Sequence, residues 1–130
     1  MADRSFHPAQ GGLEIGVVNL WAKMTVGASG AVSTSSGQGI ASVVRNSTGK
    51  YTITLSDRYS SLLYADSCLL HSTLSDPATV GIKANMFSEA VNSATPTVVF
   101  QFVALDDGAA ADPASGAVVY FKFDLKNSSV

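Results

Sequence analysis

The chain is short of charged residues and has a single cysteine. Charged residues make up 14% of its 130 positions, against about 25% in an ordinary soluble domain. A helical protein surrounded by solvent needs a Lys- and Glu-rich outer face, so this scarcity favours a β protein or one largely covered by partners. Because Cys68 has no second cysteine, an intrachain disulfide and a cysteine zinc cluster are excluded. We expect Cys68 to be a small core residue.

Basic stripes and long apolar runs are also missing. The eight basic residues are scattered along the chain, and the net charge is −2. We therefore expect no nucleic-acid partner, since phosphate backbones are bound by clustered Lys and Arg. No apolar run approaches the roughly 20 residues that span a bilayer, and the N-terminal stretch lacks the basic and apolar regions of a signal peptide. We expect no membrane partner and no export by a leader.

Alternating apolar and polar residues predict strands along most of the chain. The predicted strands cover 17–26, 40–46, 51–56, 64–74, 79–87, 97–105 and 117–126. The stretch 33–39, STSSGQG, has the composition of a flexible loop, and a short turn is expected near 58–62. Turn signals about every ten residues are typical of an antiparallel sandwich or barrel.

The predicted fold is therefore all-β: an antiparallel β-sandwich or jelly-roll-like barrel of about seven to eight strands. Residues 17–130 form a single β domain, and residues 1–16 form an irregular N-terminal arm. The predicted inward positions follow the period of two along each strand; they are Leu20, Ala22, Met24, Val26, Tyr51, Ile53, Leu55, Val80, Ile82, Ala84, Met86, Val119, Phe121, Phe123 and Leu125. Strand 97–105 is apolar on both faces, which indicates a central position.

Two groups of residues in the sequence have side chains that could carry chemistry, and neither predicts catalysis. Asp106, Asp107 and Asp112 lie in a Gly/Ala/Pro loop, where carboxylates bind Ca²⁺ or cap turns; their spacing does not match an EF-hand loop, so turn capping is favoured. Cys68 and His71 are three residues apart, which places them on opposite faces of a strand. No nucleophile elbow, zincin motif or phosphate loop is present. We expect no enzymatic activity, no cofactor and no metal.

Aromatic residues are the remaining candidates for binding. Trp21, Tyr51, Tyr59, Tyr64 and Tyr120 would suit a sugar-binding platform if they are exposed. Residues of the same types anchor protein interfaces and fill cores.

Two stretches resemble a β-rich module of tailed-bacteriophage virion proteins. The first is the hairpin GIASVVRNSTGKYTITL, which carries the pattern G-x-x-S-V-x-R-x-x-x-G-x-Y-T-x-T-L from Gly39 to Leu55. The second is the loop with Asp106 or Asp107, Asp112, Pro113, Ser115 and Gly116, between two strands. The resemblance covers about residues 18–127. It implies a non-enzymatic structural protein of the virion.

A short chain without fibre repeats favours a capsid decoration or cement protein, a virion part made in the host cytoplasm. Such a protein binds the major capsid protein at the outer shell and is often a homotrimer. The N-terminal arm would contact neighbouring subunits, and Arg45 and Lys50 would meet a neighbour's carboxylate at the hairpin tip. The expected interface residues are Phe6, His7, Trp21, Arg45, Lys50 and Tyr120. The alternative is a receptor- or carbohydrate-binding module of a tail or head fibre; a small hydrolase ranks last.

Overall fold

The computed structural model describes residues 16–72 and 81–127, which form eight β-strands. The strands are β1 (Val17–Val26), β2 (Val32–Gln38), β3 (Ile40–Ser47), β4 (Lys50–Leu55), β5 (Ser61–Leu70), β6 (Ile82–Ala90), β7 (Thr97–Ala104) and β8 (Val118–Lys126). A short 3-10 turn, Ala28–Gly30, connects β1 to β2. Residues 1–15, 73–80 and 128–130 lie outside the described ranges, and with them most of the predicted arm.

The strands form two antiparallel sheets that pack face to face. The first sheet has the order β2-β1-β8-β5, and the second has the order β3-β4-β7-β6. Three hairpins keep their strands in one sheet, and the chain changes sheet between β2 and β3, β4 and β5, β5 and β6, and β7 and β8. The predicted antiparallel β-sandwich is confirmed, with eight strands.

The core lies between the two sheets and follows the alternation of the four central strands. Strands β1 and β8 bury every second residue, as do β4 and β7. The fully buried large side chains include Tyr51, Phe100, Phe102, Phe121, Phe123, Met24, Ile53, Leu55 and Leu125. Strand β7 is central in its sheet, as its two-sided apolar pattern predicts.

Five aromatic rings, those of Tyr51, Phe100, Phe102, Phe121 and Phe123, are in contact at the centre of the core, and some of the pairs join the two sheets. The rings of Phe100 and Phe121 have centroids 5.1 Å apart, and Tyr51 meets Phe102 edge to face at 5.5 Å. Tilted and edge-to-face pairs at such separations add to the stabilisation from burial alone. The core thereby holds the two outer sheet faces in one relative position.

The prediction of a flexible loop over residues 33–39 was wrong, because residues 33–38 form most of β2. Ser and Gly favour turns in isolation, but here Thr34 to Gln38 pair with Thr25 to Trp21 of β1. Strand formation depends on a neighbour that supplies hydrogen bonds and packing, so local composition is overridden.

Three smaller predictions at the edges of the sheets were also wrong. Strand β5 begins at Ser61, inside the turn expected near 58–62. It ends at Leu70, earlier than the predicted strand over 64–74. Strand β6 continues to Ala90 through a bulge between Met86 and Ser88. Met86 is half exposed and not part of the core. It lies opposite the buried Phe100, but β6 is an edge strand and has no neighbouring strand to cover its other side.

Candidate functional site

The carboxylate of Asp112 is the most highly bonded polar group in the described part of the chain. Arg45 binds it with two donors: Nε reaches Oδ1 at 3.0 Å and Nη2 reaches Oδ2 at 2.7 Å. The backbone N–H of Gly49 donates to Oδ1 at 2.8 Å. Two parallel bonds from a guanidinium to a carboxylate combine charge with fixed geometry. Asp112, in the β7–β8 loop, is thereby attached to the β3–β4 hairpin.

The hydroxyl of Tyr51 extends this network into the core. It lies 2.6 Å from the carbonyl oxygen of Gly30 and 3.2 Å from Oδ1 of Asp112. The hydroxyl has one hydrogen, which the shorter contact assigns to Gly30. Because the Tyr51 side chain is buried, its ring anchors the network to the aromatic core. We call Arg45, Gly49, Tyr51 and Asp112 the Asp112 network.

There is no space for a side chain at Gly49, which belongs to the Asp112 network, or at Gly30, which lies against it. Gly49 has φ +71°, so the predicted positive-φ turn is confirmed. A β-carbon at Gly49 would lie 2.5 Å from the carbonyl oxygen of Phe102. At Gly30, with φ +77°, a β-carbon would lie 2.3 Å from Cγ of Asp112. The carboxylate therefore occupies the space that a side chain at Gly30 would take.

Electrostatics keep Asp112 ionised and Tyr51 neutral. Partial burial raises the pKa of the Asp112 carboxyl, but the hydrogen bonds from Arg45 and Gly49 and the guanidinium charge outweigh it, and the net shift is downward. Burial, followed by the adjacent Asp112 charge, raises the pKa of the Tyr51 hydroxyl. Since its oxygens already accept three hydrogen bonds from Arg45 and Gly49, the carboxylate serves as a structural link between loops.

The other two loop aspartates lie apart from this network. Oδ1 of Asp107 accepts the N–H of Ala109 at 2.9 Å, and Oδ1 of Asp106 accepts the N–H of Asp107. These contacts confirm the turn-capping interpretation. Within residues 16–72 and 81–127, no three His, Cys, Asp or Glu side chains gather as a metal site would require.

A group of aromatic side chains covers the outer face of the first sheet. Trp21, Tyr64 and Tyr120 are 52%, 53% and 40% exposed, respectively. They share a face because each is directly opposite an outward residue of the next strand: Trp21 pairs with Lys122, and Tyr120 pairs with Lys23. We call Trp21, Tyr64 and Tyr120 the aromatic face. Tyr51 and Tyr59, considered with them in the sequence, are buried.

A shallow cavity of about 320 Å³ lies on the aromatic face, across β1, β8 and β5. It is lined by Trp21, Ala22, Asp66, Ser67, Cys68, Tyr120, Phe121 and Lys122. The Nζ atom of Lys23 lies 5.8 Å from the centre of the Tyr120 ring, within reach of a cation–π interaction that orients the ring. Asp66 and Lys122 are paired across the strands at one side of the cavity. The lining of the cavity is almost entirely apolar, and Nζ of Lys122 lies 3.9 Å from Oδ1 of Asp124.

Cys68 lies in this cavity and not in the core. Its side chain is exposed, so the expectation of a small buried residue was wrong. On β5 the inward positions are Ala65, Ser67 and Leu69. A bulge between Leu62 and Tyr64 shifts the register of β5 against β8, which leaves Cys68 beside Tyr120 on the outer face.

The second sheet also exposes apolar side chains on its outer face. Phe87 is 57% exposed and Val44 is 52% exposed. The Nζ atom of Lys50 lies 4.0 Å from the centre of the Phe87 ring, the geometry of a close cation–π contact. We call Val44, Lys50 and Phe87 the second face.

The structure therefore distributes the predicted interface residues over three places. Trp21 and Tyr120 belong to the aromatic face, and Lys50 belongs to the opposite second face. Arg45 is bound to Asp112 of its own chain, although its expected partner was a neighbour's carboxylate. Phe6 and His7 lie outside the described residues. A binding surface on one side of the molecule can therefore include only some of the predicted interface residues.

Comparisons with known proteins identify no relative of this chain. No family model matches it, and neither a curated protein nor a solved structure is significantly similar. In the described ranges, no helix has the length and apolar character needed to cross a membrane.

Sequence reasoning missed the pairing of Arg45 with Asp112, although one signal pointed to it. Arg45 is two residues after Val43, so the period of two places it on the inward face of β3. A charged side chain at an inward position needs a partner of opposite charge. Which aspartate supplies it depends on how the β7–β8 loop folds over the hairpin, and that is decided by tertiary structure.

Replacing Asp112 by Asn should lower the free energy of unfolding at pH 7 by about 1–3 kcal/mol, because charge-assisted hydrogen bonds are lost from a partly buried group. The pKa of Asp112 is lower in the folded chain than in the unfolded one. Its contribution is therefore present above the unfolded value of about 3.9 and is lost as the pH falls through the folded pKa. Denaturant unfolding of both proteins between pH 7 and pH 3 should show the difference shrinking in acid.

The matched control for this comparison is Asp107→Asn, which alters an exposed carboxylate of the same loop. It should change stability by less than about 0.5 kcal/mol. Equal effects of the two substitutions, or a difference for Asp112→Asn that does not depend on pH, would contradict the assigned role.

Replacing Gly30 by Ala should destabilise the fold more than the same change at Gly108. Both residues have positive φ, +77° and +71°, but nothing lies within 4 Å of a β-carbon at Gly108. Gly108→Ala therefore costs only the left-handed backbone strain of about 1–2 kcal/mol. Gly30→Ala also displaces Asp112, which should add about 1–3 kcal/mol. Thermal and urea unfolding of both variants measure the difference, and similar losses would argue against the steric account.

Proposed function

We propose that the chain is a non-enzymatic virion structural protein, a capsid decoration or cement protein that binds the outer shell and stabilises contacts between capsomers. The sequence support is the resemblance of the hairpin Gly39–Leu55 and the Asp112 loop to phage virion modules. The structural support is that these two segments meet in one place, where Arg45 and Gly49 of the hairpin bind Asp112 of the loop.

The observation that carries the cement role is the presence of apolar side chains on both outer faces. The aromatic face has Trp21, Tyr64 and Tyr120, and the second face has Val44 and Phe87. Exposed aromatic residues are enriched where proteins bind one another, and contiguous exposed apolar surface marks such contacts. A cement protein must touch at least two neighbours. Two opposed binding faces on one rigid sandwich meet that requirement.

Rigidity of the sandwich supports the same role. The aromatic pairs of the core and the Asp112 network hold strands and loops together before any partner arrives. A surface that is already ordered loses little conformational entropy on binding, so more of the contact energy becomes affinity. This suits a protein that attaches to a shell already assembled.

Binding to purified capsids that lack the protein tests this proposal. Trp21→Ala and Phe87→Ala should each weaken attachment by about tenfold or more, since truncating a buried aromatic anchor costs over 1 kcal/mol. Leu105→Ala is the control, because Leu105 is an equally exposed apolar residue in the β7–β8 loop. Co-sedimentation with capsids measures the affinities. If only one of the two substitutions weakens attachment, the protein does not bridge two neighbours. If neither does, the aromatic face and the second face are not the surfaces that bind the capsid.

A second candidate function, glycan or receptor binding, is favoured by the cavity on the aromatic face. The rings of Trp21 and Tyr120 offer apolar surfaces to a sugar ring, while Asp66 and Lys122 offer hydrogen bonds to its hydroxyl groups. Ligand sites commonly combine an apolar lining with a few such polar groups.

A glycan array with the purified protein separates the two candidates. If the cavity binds sugars, Trp21→Ala should abolish array binding, and Phe87→Ala on the opposite face should leave it unchanged. Loss of capsid attachment in both variants with no array signal for the unmodified protein favours the cement role alone. Array binding without capsid attachment favours the fibre module.

A further inference from the structure

The outer edge of β2 is a strand edge with no partner strand in the part of the chain that the structure describes. Strand β2 pairs with β1 on one side and ends the first sheet on the other. From Thr34 to Gln38 its register with β1 is regular. The one bulge of β2 lies before this stretch, at Ser33, which has no partner between Thr25 and Val26 of β1. Backbone N–H and C=O groups of such an edge can pair with another strand.

From Thr34 to Gln38, this edge has none of the features by which proteins usually block edge pairing. Natural edge strands carry Lys, Pro, inward charges or bulges. The sequence has no charged residue from Met24 to Val44, and β2 contains no proline. Its residues are Val, Ser, Thr, Gly and Gln, so neither charge nor bulk opposes an approaching strand.

The other three edge strands of the sandwich carry charged side chains, which β2 lacks. Strand β5 carries Asp66 and a bulge, and β6 carries Lys83, Glu89 and a bulge. Strand β3 has register shifts near both ends and carries Arg45. The contrast with β2 lies within one molecule, so it does not follow from a general lack of charge in the chain.

We propose that β2 pairs antiparallel with β2 of a second copy across a two-fold axis, which joins the two first sheets into one eight-stranded sheet. A two-fold contact brings each residue opposite its symmetry mate or a near neighbour. Any charge on β2 would therefore face its own copy, and β2 has none. Thr34, Ser36 and Gln38 share the outer face with Trp21. With the axis near Ser36, Thr34 of each copy lies opposite Gln38 of the other, a pair that can hydrogen-bond.

The proposed pairing would place two aromatic faces on the same side of one continuous sheet. Two linked binding faces attach to a surface with repeated sites more strongly than one face does. The pairing itself rests on the strand edge and does not require the capsid role, so it stands or falls on its own measurement. It differs from the three-fold arrangement that the sequence resemblance implies.

Sedimentation velocity of the full chain, from about 1 to 300 µM, tests the pairing. We expect a monomer–dimer equilibrium. Ser36→Lys places like charges next to the axis and should raise the dimer dissociation constant by about tenfold or more. The matched control is Ser88→Lys, the same change on the edge strand β6, which should leave the equilibrium unchanged. Both positions are exposed, so both variants should fold.

Amide hydrogen exchange locates the contact independently of any variant. Exchange of the amides from Thr34 to Gln38 should slow as protein concentration rises, while the amides of β5 and β6 should not respond. A monomer over the whole range, a trimer insensitive to Ser36→Lys, or concentration-dependent protection confined to another edge would overturn the proposal.

Discussion

The bidentate ion pair between Arg45 and Asp112 is the contact on which the arrangement of the loops depends. Asp112 is in the loop that carries the chain from the second sheet to the first, and Arg45 is on an edge strand far from it in sequence. The same carboxylate accepts the N–H of the hairpin glycine, Gly49. One side chain therefore sets the position of the β3–β4 hairpin relative to the β7–β8 crossing. Tyr51 adds the connection to the core and to the turn after β1.

The alternation of side chains makes the inner and outer surfaces independent of each other. In β1, β4, β7 and β8 every second residue is buried in the core. The residues between them point outward, where they can contact a partner. In the first sheet these positions hold Trp21 and Tyr120 together with Lys23 and Lys122. Aromatic rings surrounded by long charged side chains make a surface with both apolar area and polar contacts, which suits recognition of a protein or a sugar.

The strands of the core could be predicted from the sequence, and most of the edges could not. Strand β1 was predicted at its observed bounds, and the inward positions of β1, β4 and β8 were predicted correctly, because a buried face imposes a strict period of two. The errors fall on edge strands: the Ser-rich β2, the exposed Cys68 of β5 and the exposed Met86 of β6. An edge strand has one neighbour, tolerates bulges and packs incompletely, so its sequence pattern is weaker.

For the candidate site, the residue types were evident in the sequence and their grouping was not. Trp21, Tyr64 and Tyr120 could be nominated, but Tyr59 looked equivalent to them until its burial was known. Likewise, three aspartates in one loop looked alike, and only Asp112 reaches Arg45.

The amino-acid sequence by itself determined the all-β class, the hairpin with its turn at Gly49, and the apolar faces that form the core, because these depend on local backbone preference and on the period of two. Tertiary structure alone decided which edge of the sandwich lacks charge, which aromatic rings share a face, and which carboxylate pairs with the inward arginine. Those features depend on contacts between residues far apart in the chain, and a local pattern holds no information about such distances.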